Sequence, residues 1–282
     1  MPSVKNLNWF PGHMRKALNQ IQETLQNCDC IVQIGDARAP LSSLNPSVEK
    51  LKLPSLRVLV YSKKDLADID KTRSSISSLE KKFSAVFIAD FNDKSDIEKI
   101  KNYLSNASFP KAEKYRRYNL NPPALKAMVI GIPNVGKSTF INAISKKHKT
   151  SVANTPGHTK SQQIVRINDK LSLIDTPGVL EPNYQDRSAI IKLSMLGSVK
   201  DQAIDMETIY LETAKFLLKN YPSYVYSRYK IENELTIENF YMEIAKARHF
   251  LLANNELDIQ RSKTTLLNEF RNGELGRVSI DE

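Results

Sequence analysis

Gly131-Ile132-Pro133-Asn134-Val135-Gly136-Lys137-Ser138 is the stretch on which the reading of the whole chain turns. A glycine, four residues and then Gly-Lys-Ser is the pattern of a phosphate-binding loop. The apolar run 127–132 before it predicts a strand, and the pattern 137–146 after it predicts a helix. In that context the backbone N–H groups of the loop and of the helix N-terminus surround phosphate oxygens. Lys137 is expected to reach the β and γ phosphates and the Ser138 hydroxyl to ligate Mg²⁺, with Asn134, Val135, Gly136 and Thr139 completing the cradle.

Further along the chain, Asp175-Thr176-Pro177-Gly178 follows the short apolar run 171–174. Asp175 is expected to hold Mg²⁺ and the Gly178 N–H to sense the γ-phosphate. Between the two motifs lies Asn154-Thr155-Pro156-Gly157-His158-Thr159. Thr159, with Thr155 as the alternative, is expected to complete the Mg²⁺ coordination and clamp the γ-phosphate.

Ahead of the phosphate loop, Ser62-Lys63-Lys64-Asp65 follows the run 57–61 and resembles the guanine-recognition motif Asn-Lys-x-Asp. The Asp65 carboxylate can accept from guanine's ring N–H and exocyclic amine, whereas adenine offers a lone pair at the ring position. The Lys63 stem can lie along the base, with Lys64 beside it. Ser62 stands where asparagine is usual, so an N7 contact worth about 0.5–1.5 kcal/mol is expected to be lost, weakening affinity more than specificity. The loop after the run 85–89 is expected to back the base through Ala89 and Asp90.

Six runs read as strands: 30–35, 57–61, 85–89, 127–132, 163–167 and 171–174. Helical patterns at 14–27, 74–83, 96–105 and 137–146 alternate with them, which argues for an α/β fold with a mostly parallel sheet and helices on both faces. After Glu181-Pro182 come helical patterns at 187–200, 207–220, 237–253 and 263–271, with one short strand pattern at 277–280. The expected organisation is a phosphate-loop domain over 1–180, with a short N-terminal extension, and a small helical domain over 181–282.

Charge follows the same division. Residues 1–180 hold 28 Lys and Arg against 15 Asp and Glu, and residues 181–282 hold 13 against 16, for a net +10. The basic field, concentrated at Lys111, Lys114, Arg116, Arg117 and at Lys146, Lys147, Lys149, suits a polyanion such as RNA. No run of 18 apolar residues indicates a membrane span, and residues 1–9 lack a signal-peptide core. Cys28 and Cys30, one residue apart, are not expected to form a mutual disulfide, and the histidines lack zinc-site spacing. A cytosolic, monomeric protein is expected.

Asp65 precedes Lys137 by 72 residues, the reverse of the ordinary GTPase order. The same sheet can form with its termini moved, since permutation at exposed loops is tolerated. This order, together with Asn8-Trp9-Phe10-Pro11-Gly12-His13-Met14, Asp36-Ala37-Arg38-Ala39-Pro40, Asn45-Pro46, Gly131–Ser138 and Gly276-Arg277, resembles the bacterial ribosome biogenesis GTPase A family of circularly permuted GTPases. The resemblance runs nearly end to end. It implies a GTP-hydrolysing switch in late maturation of the large ribosomal subunit, bound to ribosomal RNA in the bacterial cytoplasm. A signalling GTPase, an RNA-binding module with negligible hydrolysis and an ATP-dependent phosphate-loop enzyme are the competing classes.

Val179 occupies the position after Gly178 where Ras-type enzymes carry a water-orienting glutamine, so turnover of the chain alone is expected to be slow. His13 is the candidate to position water or phosphate, a direction the resemblance shares; contact with RNA, or packing beside Trp9 and Phe10, is the alternative. The catalytic set is therefore His13, Lys137, Thr159 and Gly178. The Asn134 side-chain carbonyl can also ligate K⁺ between phosphates, supplying charge that an arginine gives elsewhere. On that reading GTP turnover is faster in K⁺ than in Na⁺ at matched ionic strength, and equal rates in the two salts contradict it.

Overall fold

A computed structural model describes Asn19 and residues 21–46, 48–145, 163–175, 186–199 and 204–281. Among the described residues six strands make one sheet: β1 (Cys30–Asp36), β2 (Leu56–Ser62), β3 (Ala85–Ile88), β4 (Leu125–Ile130), β5 (Gln163–Asn168) and β6 (Leu171–Asp175). Their order is β3-β2-β1-β4-β6-β5, parallel throughout except for β5, which returns antiparallel on β6. β1 is buried along its whole length, as a central parallel strand covered on both faces must be. Alternate residues serve different faces. Val32, Ile34, Val58 and Val60 pack with Ile100, Leu104 and Phe140 in one cluster, whereas Ile31, Met128 and Ile130 meet Ile21 and Leu25 in another.

Helical residues 21–25 cover the sheet together with α1 (Ile69–Ile76), α2 (Lys94–Asn106), α3 (Pro110–Arg117) and α4 (Lys137–Ser145). Five more follow: α5 (Arg187–Met195), α6 (Met206–Asn220), α7 (Pro222–Tyr229), α8 (Phe240–Ala247) and α9 (Ile259–Asn272). Their core joins Ile209, Leu217, Val225, Phe240, Ile244, Leu266 and Phe270. Five helices start on an aspartate that accepts a backbone N–H of the first turn: Asp68, Asp93, Asp186, Asp205 and Asp258. α5 serves both cores, with Leu193 in the sheet cluster and Met195 in the helical one.

All six strands lie within a residue or two of the runs that predict them, and the helical expectations shift more. The expected helix 74–83 is instead α1, set back by its Asp68 cap, followed by a 3-10 turn at Glu80–Lys82. The pattern 187–200 stops at Met195, because Gly197 turns left-handed (φ 73°) and Ser198 bonds back to Leu193. The pattern 237–253 shrinks to α8, with His249 also left-handed, while 263–271 extends to all of α9. Residues 277–280 join no ladder among the described residues; their backbone bonds go to loops, as detailed below. α3 and α7, neither foreseen, each begin on a proline, where a missing N–H costs no helical bond.

One buried charge cluster ties the fold together. Asp36, 0% exposed at the end of β1, accepts three bonds from Arg38 (backbone N–H to Oδ1 3.0 Å, Nε–Oδ1 3.0 Å, Nη2–Oδ2 2.9 Å) and one from Lys63 Nζ (2.7 Å). Arg38, itself 1% exposed, gives its remaining Nη1 to the Arg271 carbonyl at 2.7 Å. Burial alone would raise the Asp36 pKa, but the two cations more than offset it and hold the carboxyl well below the usual carboxylate range. Arg38→Ala should therefore cost about 3–5 kcal/mol in urea unfolding at neutral pH. The Asp36 contribution should persist above its unfolded pKa of about 3.9 and fade only as the pH falls below it. A wild-type-like unfolding midpoint for Arg38→Ala would contradict this.

Candidate nucleotide site

Because β1, β2, β3, β4 and β6 run parallel, their carboxyl ends share one edge of the sheet. That edge gathers Asp36, Ser62, Ala89, Gly131 and Asp175. The chain goes from β1 outward to β2 and β3, then returns to β4 on the other side of β1. This reversal is the place where doubly wound sheets open a ligand crevice.

The phosphate loop leaves β4 there. Gly131 passes so near β1 that a Cβ would lie 2.5 Å from the Ile34 carbonyl oxygen. Asn134 (φ 57°) and Gly136 (φ 93°) turn the backbone before α4 starts at Lys137. The Lys137 ammonium is buried and donates to the Ile132 carbonyl at 3.0 Å. Ser138 and Thr139 follow in the first turn of α4, and buried Asp175 pairs in register with Val129 across β6 and β4. Phe91 packs on Phe140 and lies against Gly136.

Permutation separates the guanine motif from this loop in sequence, yet the two touch. Ser62 is buried, and its hydroxyl lies 2.7 Å from the Val135 carbonyl and 3.0 Å from that of Gly35, so its one O–H is shared between two backbone acceptors. The serine is thus a tether from guanine loop to phosphate loop rather than a group turned toward a base. Lys63 is left-handed (φ 59°) with its head on Asp36. Lys64 Nζ reaches Asp96 Oδ2 at 2.9 Å, the same oxygen accepts the Asp90 N–H at 3.1 Å, and the Lys64 N–H bonds the Ala89 carbonyl at 3.3 Å. Asp96 therefore ties the turn at Lys64 to the loop that follows β3. Asp65 sits exposed in the 3-10 turn Lys64–Leu66, its carboxylate at the surface.

Ser62, Lys63, Lys64, Asp65, Ala89, Asp90, Asn134, Val135, Gly136, Lys137, Ser138, Thr139 and Asp175 thus come from the same sheet edge. His13, Thr155, Thr159, Gly178 and Val179 lie outside the described residues, as do Lys146, Lys147 and Lys149. Sequence reasoning missed Asp96 and Phe91, which carry no local motif, and gave no role to Arg38 or Arg277.

A family profile described as 50S ribosome-binding GTPase matches residues 126–255, taking in the phosphate loop but not the guanine loop placed ahead of it. Ribosome biogenesis GTPase A of Bacillus cereus is 31% identical over 277 residues, spanning 98% of this chain and 93% of its own. The chain belongs to the ribosome biogenesis GTPase A family. The Bacillus licheniformis member is also 31% identical, across 98% of both chains. Mouse mitochondrial ribosome-associated GTPase 1 is 28% identical over 97% of this chain and 89% of its own. Among solved structures, GNP-bound YlqF from T. maritima superposes with a TM-score of 0.61 at 22% identity, covering 94% of this chain and 97% of its own. GDP-bound YlqF gives 0.62 at 21% identity, covering 93% and 98%. These two share the circularly permuted fold.

As a ribosome biogenesis GTPase A family member the chain is a GTPase, and its site carries a legible electrostatic signature. Burial pushes the Lys137 ammonium down to about 8, an effect that Asp175 opposes. Phosphate oxygens would restore the charged form. Nucleotide binding should therefore take up a proton from about pH 8 upward, and affinity should fall as the pH rises further. Calorimetric titration of GDP at pH 8 in buffers of different ionisation enthalpy measures this; binding enthalpies that do not vary with buffer would refute it.

Proposed function

We propose that the chain hydrolyses GTP as a switch in late assembly of the large ribosomal subunit, bound to ribosomal RNA. The observation that carries the reading is the direct bond from the guanine loop to the phosphate loop, Ser62 Oγ to the Val135 carbonyl. Base and phosphates are thereby held in one frame, as a guanine-specific nucleotide switch requires. Family membership supplies the ribosomal setting, since the relatives named above are ribosome biogenesis and ribosome-associated GTPases.

Lys137 and the loop N–H groups hold the β and γ phosphates, and Asp65 reads the base. The Ser138 hydroxyl and the buried Asp175 carboxylate offer the hard oxygen donors that suit Mg²⁺, and Thr159 and the Gly178 N–H are assigned to the same γ-phosphate end. Bound there, Mg²⁺ supplies charge neutralisation on the phosphates. Asn134 donates its amide N–H to the Gly197 carbonyl at 2.9 Å, which leaves its carbonyl oxygen as the atom for K⁺. His13 positions the attacking water, the task for which Val179 has no hydrogen-bonding group.

RNA contact is supported by α3. Lys111, Lys114, Arg116 and Arg117 are exposed there and form no ion pair with a carboxylate among the described residues. Tyr115 and Tyr118 (70% exposed) stand among them, the mixture of cations and aromatic rings that suits a nucleic acid. Among the described residues no helix is long and apolar enough to cross a membrane. A monomer working in the bacterial cytoplasm completes the reading.

The test is GTP hydrolysis in K⁺ buffer, alone and with purified large or small ribosomal subunits. The large subunit should stimulate turnover and the small one should not. His13→Ala should lose about a hundredfold of the stimulated rate while keeping its GTP affinity. Tight GTP binding with no stimulation by either subunit would instead favour an RNA-binding switch.

A further inference from the structure

We propose that residues 273–281 act as a strap that holds the guanine loop in its base-reading shape, making Arg277, Val278 and Asp281 positioning residues for guanine specificity. The inference rests on Asp65 as the base reader.

The strap begins where α9 ends. Gly273 (φ 75°) caps that helix in the left-handed region that favours glycine, and a Cβ on it would fall 2.6 Å from Leu66 Cδ2 of the guanine turn. Gly276 (φ 138°) turns the chain past Tyr224, where a Cβ would meet the ring at 2.5 Å. The next two residues grip the guanine turn itself. Arg277 Nε donates to the Asp65 carbonyl at 3.2 Å, and the Val278 N–H donates to the Leu66 carbonyl at 3.0 Å.

Beyond them the strap is anchored firmly. Ser279 Oγ lies 2.8 Å from Thr72 Oγ1 and 3.0 Å from the Asp68 carbonyl, and the Ile280 N–H donates to the Arg38 carbonyl at 2.6 Å. Asp281, 2% exposed, accepts the N–H groups of Leu41 (2.7 Å) and Ser42 (2.8 Å), the Ser42 hydroxyl (2.6 Å) and the Lys192 ammonium (3.0 Å). A buried carboxylate with four charge-assisted donors is a strong fixed point.

The guanine turn needs such a support. It is a single 3-10 turn entered through a left-handed lysine, a conformation that costs free energy and persists only when neighbours over-determine it. Asp96 fixes the turn through the Lys64 side chain, and the strap fixes the carbonyls of Asp65 and Leu66. The strap also contacts the helical part through Lys192 of α5 and through Tyr221, whose hydroxyl accepts the Ser279 N–H at 3.1 Å. Displacing those helices would therefore loosen the grip on the base, and a bound base would reciprocally stiffen the strap.

The experiment compares the affinities of the full chain for GDP, which engages base and phosphates, and for inorganic pyrophosphate, which engages the phosphate loop alone. Asp281→Ala should weaken GDP about tenfold or more, and Arg277→Ala, at an exposed residue that leaves the fold intact, about three- to tenfold, the range of one hydrogen bond. Pyrophosphate should change less than about twofold in both. Asp65→Asn serves as the reference and should also lose GDP selectively. GDP affinity unchanged in Arg277→Ala and in a folded Asp281→Ala, beside a loss in Asp65→Asn, overturns the strap and leaves the base reading standing. Parallel loss of GDP and pyrophosphate also overturns it, as mere destabilisation. An Asp65→Asn chain that binds GDP normally overturns the base reading and the strap with it. Should Asp281→Ala fail to fold, Arg277→Ala decides.

Discussion

Asp36 carries a full charge in a place with no exposed surface, and it can do so only while Arg38 and Lys63 stay on it. That requirement fixes three things at once. It sets the end of β1 at the centre of the sheet edge. It holds Lys63, and with it the entry into the guanine turn. It orients Arg38 so that its last N–H group reaches the carbonyl of Arg271 at the end of α9. A buried charge deprived of one partner costs about 3–5 kcal/mol. The cluster therefore makes the position of the guanine loop and the docking of the helical part a single decision.

Permutation gives this coupling a second strand. The chain that leaves β6 leads toward α5, which contributes to both cores. Just beyond α5, the Gly197 carbonyl accepts the Asn134 amide from the phosphate loop. Arg271 closes the circuit by donating to the Ser194 and Met195 carbonyls at the same helix end. Phosphate loop, α5, α9, Arg38, Asp36 and the guanine loop thus form one contiguous hydrogen-bonded path. A change at the phosphates has a physical route to the helices, and a partner pressing on the helices has a route back.

Much of this was legible in the chain because the decisive signals are local. A parallel strand buried on both faces must be a continuous apolar run, so β1, β2 and β4 announce themselves, and the phosphate and guanine motifs lie at their ends. Helix boundaries were less legible, since they hang on single caps: Asp68 moves α1 back, and Gly197 stops α5 early. Proline-started α3 and α7 are two turns each, too short to show a period. Val278 and Ile280 alternate like a strand, yet their N–H groups bond to loops while their side chains join the core of the helical part, a distinction no local pattern contains. Within the site, Ser62 looked like a weakened base contact, whereas its hydroxyl points to the phosphate loop. Asp96 gave no signal because its role depends on two loops brought together from different strands.

In the proposed function Asp65, set 72 residues ahead of Lys137, reads guanine across the fold. Xanthine carries a carbonyl where guanine carries its exocyclic amine, so a carboxylate favours guanine and an amide, which can donate, favours xanthine. The most direct measurement is the hydrolysis rate of Asp65→Asn with GTP and with xanthosine triphosphate, beside the unsubstituted chain. The account predicts an exchange of preference, GTP for the original chain and the xanthine nucleotide for the variant. A variant that still prefers GTP by the original margin would contradict it.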